Sequence, residues 1–182
     1  MKNFLSFIWE ITKIVIVALV IVIPIRYFLF QPFFVKGQSM EPNFENGDYL
    51  IIDEISYRLR TPKRGEVIVF KYPENPSQRY IKRIAGLPGE TIEIKDGKVI
   101  IFENNQRPLA AARVLDESDY LSGDLMFINY PEITLGPDEY FVLGDNRAST
   151  WRGVVPQGNI IGRVFFRAWP FTALAKIEAP SY

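Results

Sequence analysis

The sequence predicts a mostly β protein, a coiled or barrel-like antiparallel sheet domain with a small inserted lobe, preceded by one N-terminal transmembrane helix. Three observations carry that expectation. From Leu5 to Phe30 the chain is apolar with few interruptions. Seven later segments of four to nine residues are rich in Ile, Val, Phe and Tyr and are bounded by Gly, Pro, Asp or Asn, which is the pattern of short strands. Between two of them lies Asp96-Gly97, a strong hairpin signal because both positions tolerate the positive φ that a tight turn needs.

The N-terminal segment comes first. Its purest part, Ile14 to Ile25, is 12 residues, about 18 Å of helix, too short for a hydrocarbon core of about 30 Å. Extension to Phe30 with Arg26 snorkelling, or back to Leu5 with Glu10 and Lys13 near the headgroups, supplies the length. A cleavable leader fits less well, since Phe28-Leu29-Phe30-Gln31-Pro32-Phe33-Phe34 stands where a small-x-small site and a polar mature start belong. Lys2 and Lys13 lie on one side, Arg26 and Lys36 on the other, so charge does not orient the helix. Residues 1–30 are read as a membrane anchor and 31–182 as one folded domain.

Within the domain the predicted strands are Asp48–Asp53, Glu66–Lys71, Tyr80–Ala85, Thr91–Ile94, Lys98–Phe102, Glu139–Leu143 and Ile160–Ala168. Residues 54–60 suit one helical turn or an irregular loop. Residues 103–108 form a turn, and Ala110 to Ser122 reads as a loop with some helix. Residues 95–137 are expected to form the inserted lobe, between the strand of Lys82 and the loop at Gly144. The apolar tail from Ala168 to Leu174 suits either core or a membrane surface shared with Phe33 and Phe34, with core the default for any one residue.

Composition narrows the chemistry. The 182 residues carry 21 basic and 21 acidic side chains, without the basic excess that would point to nucleic acid. There is no cysteine and no histidine. Disulfides and thiol catalysis are excluded, and the usual zinc and non-haem iron sites lose their main ligands, so neither metal nor cofactor is expected.

Three clusters remain as candidates. Gly37-Gln38-Ser39-Met40-Glu41-Pro42 presents a serine in a turn, nine residues beyond Phe30 and so within about 30 Å of a bilayer. Without imidazole, the base for a nucleophilic Ser39 is an amine, and Lys82 is the candidate. Strand alternation places Lys82 and Arg83 on opposite faces, so one of them faces a core or cleft. Burial would lower a lysine from its ordinary value of about 10.4 towards neutrality. In Gly144-Asp145-Asn146-Arg147 the glycine permits a sharp bend, and Asp145 can pair with an arginine behind the site or simply close an Asx turn.

Together these clusters resemble the type I signal peptidases, the membrane-bound Ser/Lys leader peptidases of bacteria. Five boxes occur in family order: Ser39-Met40-Glu41-Pro42-Asn43, Gly47 through Ile52, Arg64 through Phe70, Tyr80 through Glu90, and Gly144 through Arg147. The resemblance implies a serine endopeptidase that removes signal peptides from exported preproteins after Ala-x-Ala sites. Ser39 would be the nucleophile and Lys82 the general base. The N–H groups of Ser39 and Gly37 would form the oxyanion hole. Arg83 and Asp145 would be a supporting ion pair, with Asn146, Arg147 and Ser149 completing the support. Val35, Met40, Phe44, Tyr80 and Ile81 would line the pockets for small side chains at positions −1 and −3. Implied partners are exported preproteins, the lipid bilayer and the secretion translocon. The implied location is the bacterial cytoplasmic membrane, with one pass and the catalytic domain outside.

The chain departs from the family in two places. Asn43 replaces the usual threonine. After Arg147 the chain is about four residues short, and the family's Asp-Ser-Arg piece is absent. Ser149 is the candidate for the serine that hydrogen-bonds the lysine, and Arg152 for the missing arginine. A catalytically impaired relative that grips signal peptides, and a maturation peptidase for pilin-like or conjugation substrates, therefore remain as alternatives. Self-cleaving SOS repressors share the dyad, but they carry a DNA-binding domain where this chain has its apolar segment.

Overall fold

The computed structural model describes residues 2–28, 30–102, 112–121, 129–148 and 151–180. Helix α1 (Lys2–Phe28) is 27 residues long, and apolar side chains along it such as Phe4, Trp9, Ile14 and Val20 are exposed. Among the described residues no helix is long and apolar enough to cross a membrane.

The strands follow in chain order as β1 (Phe30–Phe34), β2 (Tyr49–Asp53), β3 (Val67–Tyr72), β4 (Asn75–Gly86), β5 (Thr91–Lys95) and β6 (Lys98–Phe102). Then come β7 (Ala112–Val114), β8 (Tyr130–Thr134), β9 (Glu139–Leu143), β10 (Gly153–Pro156), β11 (Ile160–Trp169) and β12 (Ala175–Lys176). Residues Ser56–Leu59 make one helical turn, α2, where a turn or loop was expected. The larger sheet has the order β1-β2-β11-β3-β4-β9-β10, with β12 paired to β11; the smaller runs β7-β6-β5-β8. Every pairing among the described strands is antiparallel.

The predicted strands are all present, most of them a residue or so different in extent. Asp96 and Gly97, at φ 50° and 75°, make the turn that joins β5 to β6. The sequence reading did not foresee β1, β8, β10 or β12. β1, β8 and β10 are edge strands containing proline, which a ladder tolerates only where an N–H is not needed. Part of the stretch expected as loop with some helix is instead strand β7, paired with β6.

Three apolar clusters hold the domain. One joins Val35, Met40, Phe44 and Leu50 to Val67, Val69 and Ile81. A second places Ile68, Phe70 and Ile84 against Tyr140, Val142 and Val155. The third joins β5 and β6 to Phe141 and Leu143 of β9. Strand β3 thus feeds alternate residues into two clusters, Val67 and Val69 to one and Ile68 and Phe70 to the other, which explains its unbroken apolar run.

Alternation puts Lys82 and Arg83 on opposite faces of β4, and both faces are covered there, so that the residues are only 3% and 6% exposed. The tail is not core: Trp169, Phe171 and Leu174 are 51%, 71% and 51% exposed. Trp169 lies opposite Tyr49 across the sheet, Tyr49 lies opposite Phe34, and Trp169 packs edge-on against Phe171, so the exposed aromatics form one patch.

Candidate active site

Ser39 and Lys82 open into one cleft of about 600 Å³. Its walls include Phe33, Phe34 and Lys36 from β1 and the chain just after it, Arg79 through Lys82 from β4, and Trp151. The exposed first half of β4 and the edge of β1 thus flank the cleft with strand backbone.

The serine lies in a turn that backbone geometry shapes. Gly37 sits at φ 87°, a conformation that side-chain-bearing residues rarely adopt. The turn is tied to the 144–148 loop: the Asn146 N–H donates to the Ser39 carbonyl at 3.1 Å, and the Asn146 amide donates to the Gln38 carbonyl at 3.0 Å. Gly144 makes the approach possible, because a Cβ there would stand 2.3 Å from the Ser39 carbonyl oxygen. The glycine of the Gly-Asp-Asn-Arg box is therefore a contact requirement as well as a bend.

Burial in β4 brings the Lys82 ammonium down from 10.5 to about 8, against the opposing pull of Asp145. Asp145 is itself buried and held by its own partners. Its two oxygens accept from Arg83 Nε at 2.8 Å and Nη2 at 2.7 Å, a bidentate pair. The remaining Arg83 Nη1 donates to the Gly65 carbonyl at 2.9 Å. Asn43, the departure from the family's threonine, joins the same group and donates its amide to Asp145 Oδ2 at 2.9 Å.

Arg147 turns away from the cleft. Its Nε donates to the Gly144 carbonyl at 3.2 Å, and its two Nη atoms donate to the carboxylate of Glu117. Tyr120 links the two pairs, its ring 4.1 Å from the Arg83 guanidinium carbon and its hydroxyl donating to Glu117 Oε1 at 2.6 Å. Neither Glu117 nor Tyr120 was singled out in the sequence. They come from an aperiodic stretch, and the only signal for them was an acidic residue in a loop that had to pack somewhere.

Other expectations need adjustment. The Gly37 N–H donates to Asn46 Oδ1 at 3.0 Å, so it is already engaged and does not point freely into the cleft. Among the described residues the Ser39 N–H has no acceptor. Tyr80 and Ile81 line the cleft, while Val35, Met40 and Phe44, at 2%, 0% and 2% exposure, lie in the core next to Ile81. They set the floor behind the wall, because the turn after β1 folds inward over β2. Phe33 and Trp151 line the cleft without having been named as pocket residues; Trp151 packs against Phe70, Tyr72 and Tyr80. Ser149 lies outside the described residues. Arg152, the candidate for the missing arginine, buries its Nη1 without a hydrogen-bond partner among the described residues. No group of side chains able to hold a metal occurs among the described residues.

Comparison with known proteins fits this geometry. The sequence model of the family described as "Signal peptidase, peptidase S26" matches residues 8–169. A probable signal peptidase I-1 of Synechocystis sp. is 35% identical over 177 residues, 91% of this chain and 84% of that protein. A signal peptidase I of Leptolyngbya laminosa is 36% identical over 179 residues, covering 92% and 83%. A signal peptidase I of Bacillus caldolyticus is 36% identical over 171 residues, covering 87% and 90%.

Proposed function

The chain belongs to the signal peptidase family, peptidase S26, whose members are serine peptidases, and from that premise we propose that it cleaves signal peptides from exported preproteins by a Ser39/Lys82 mechanism. The observation that carries the proposal is a buried lysine, lowered to about 8, in the same cleft as a turn-mounted serine.

The steps follow from the residues present. Neutral Lys82 takes the Ser39 hydroxyl proton as Oγ attacks the carbonyl at the −1 position. The oxyanion is met by the Ser39 N–H; engagement of the Gly37 N–H would require Asn46 to move aside. Such donors are worth about 2.7–4 kcal/mol each in comparable acyl transfers. When the peptide C–N bond breaks, protonated Lys82 gives its proton to the leaving amine. Neutral again, it activates water, and hydrolysis of the acyl-Ser39 ester releases the signal peptide.

Substrate enters as an extended strand between the edge of β1 and the exposed half of β4. Ile81, Tyr80 and Phe33, with Val35, Met40 and Phe44 packed behind, leave room for small side chains at −1 and −3, which supports Ala-x-Ala selection. The division of the chain into an anchor over 1–30 and a peptidase domain over 31–182, with a lobe over about 95–137, belongs to the same proposal. No described helix is long and apolar enough to cross a membrane by itself, so the anchor rests on the apolar sequence from Leu5 to Phe30 with Arg26 snorkelling, and on the exposed apolar side chains of α1, such as Phe7, Ile11, Val17 and Ile21. That favours a single pass in the bacterial cytoplasmic membrane, with the catalytic domain outside and near the translocon. The patch of Phe34, Trp169 and Phe171 would then rest on the lipid surface.

The test is cleavage of a preprotein bearing an Ala-x-Ala site by the full chain in detergent, with Ser39→Ala alongside. Cleavage after the −1 residue that disappears in the variant is expected. Binding of the preprotein without cleavage by the unmodified chain would instead indicate the impaired relative.

A further inference from the structure

The loop 116–121 reaches the site from the segment between β7 and β8, and it touches both buried arginines.

Its geometry is specific. Glu117 is 7% exposed, and its carboxylate accepts from both Nη atoms of Arg147, with Nη1 at 2.9 Å. The same carboxylate accepts the Tyr120 hydroxyl at 2.6 Å. Tyr120 and Leu121 donate their N–H groups back to the Glu117 carbonyl at 3.2 and 2.9 Å, which fixes the turn. The Tyr120 ring lies against the Arg83 guanidinium at 4.1 Å. The Tyr120 carbonyl accepts the Asn43 amide at 2.7 Å, and that amide also donates to Asp145. One short loop therefore braces the Arg147–Glu117 pair and the Arg83–Asp145 pair together.

Each pair is one step from the dyad. Arg83 follows Lys82 on β4, and Asp145 is the charge that acts on the Lys82 ammonium. Arg147 follows Asn146 and bonds the Gly144 carbonyl, while Asn146 and Gly144 are the residues that meet the Ser39 carbonyl. A buried ion pair is poor evidence for stabilisation as such, since apolar replacements of similar volume often stabilise more. Two such pairs joined by one tyrosine, each adjoining a catalytic position, fit a requirement for orientation.

We propose that Glu117 and Tyr120 are positioning residues that hold the Ser39/Lys82 dyad through Arg147 and Arg83. The proposal rests on the dyad assignment made above.

The test measures kcat and KM separately on the Ala-x-Ala preprotein for the full chain in detergent. The variants are Tyr120→Phe, Tyr120→Leu, Glu117→Gln, Arg147→Gln and the double variant Glu117→Gln/Arg147→Gln, with thermal unfolding recorded for each. Misplacement of catalytic groups by about 1 Å costs on the order of 10²-fold, so Tyr120→Leu and Glu117→Gln are expected to lose about 10- to 100-fold in kcat with KM within about two-fold of the parent. Tyr120→Phe keeps the ring on Arg83 and loses only the hydroxyl, so its kcat falls less. The double variant is expected to lose little more than either single variant. Folded Tyr120 variants with kcat within about two-fold of the parent, losses confined to KM, or additive losses in the double variant would overturn the proposal. Because Tyr120→Phe removes one oxygen, the test stands even if Glu117→Gln does not fold. Ser39→Ala, run in parallel, separates the two levels: residual cleavage there contradicts the dyad, while a dead Ser39→Ala beside unaffected Tyr120 variants contradicts the brace alone.

Discussion

Lys82 and Arg83 are neighbours on one strand, equally buried, and treated in opposite ways. On one face of β4, Arg83 donates to both oxygens of Asp145 and to the Gly65 carbonyl, and lies against the Tyr120 ring. On the other face, Lys82 is desolvated at the cleft, and its ammonium falls to about 8. A guanidinium, with five donors and a charge that proteins do not titrate, suits a fixed support. An ammonium, a compact charge that loses its proton readily when desolvated, suits a base. The fold spends stability on the second in order to have it. Between pH of about 8 and 10.5 the unfolded chain holds the lysine proton and the folded chain does not, so stability rises with pH across that window. Below the window the charged, buried Lys82 costs roughly 3 kcal/mol.

The largest effects should come from breaking the base side of this contrast. Lys82→Ala and Ser39→Ala are each expected to lower single-turnover cleavage by on the order of 10⁴-fold or more. Lys82→Met should be equally inactive yet more stable near neutral pH, by up to about 3 kcal/mol in denaturant unfolding, since an apolar side chain of similar length replaces a buried charge. On the support face the sign reverses. Arg83→Met leaves Asp145 buried without its counter-charge, so about 3–5 kcal/mol of stability should be lost along with activity, read by the same unfolding experiment.

A smaller effect sharpens the comparison at the loop that serves both faces. Gly144→Ala drives a methyl group into the Ser39 carbonyl, so the two loops must move apart; kcat should fall about 10²-fold and thermal stability should fall with it. Smallest of all is Ser149→Ala: under the proposal that Ser149 assists the lysine without transferring the proton, cleavage should slow several-fold at most.

The sequence shows one face of this contrast far better than the other. Lys82, Ser39 and Gly144 sit in contiguous boxes, and strands such as Glu139–Leu143 declare themselves by composition and flanking turns. β1 and β10 were hidden by Pro32 and Pro156, which are compatible with strand only at a sheet edge, and edges are decided by the whole fold. Glu117 and Tyr120 meet Arg147 and Asn43 across 30 and 77 residues, from a stretch with no periodicity to announce it. The burial of Lys82 and Arg83 together was not legible either, because alternation assigns opposite faces but not whether both faces are covered. Gly37 shows the same limit at one atom: its place in the turn was evident, but the acceptor for its N–H, Asn46 Oδ1, is set by how the turn closes.

The central claim is that burial turns Lys82 into the base for Ser39, and the pH dependence of kcat/KM for preprotein cleavage tests it most directly. Activity requires the neutral amine, so kcat/KM should rise with pH along a single limb centred near 8 and then level off. A limb near the ordinary lysine value of about 10.4, or a rate that does not depend on pH between about 6 and 10, would contradict the account.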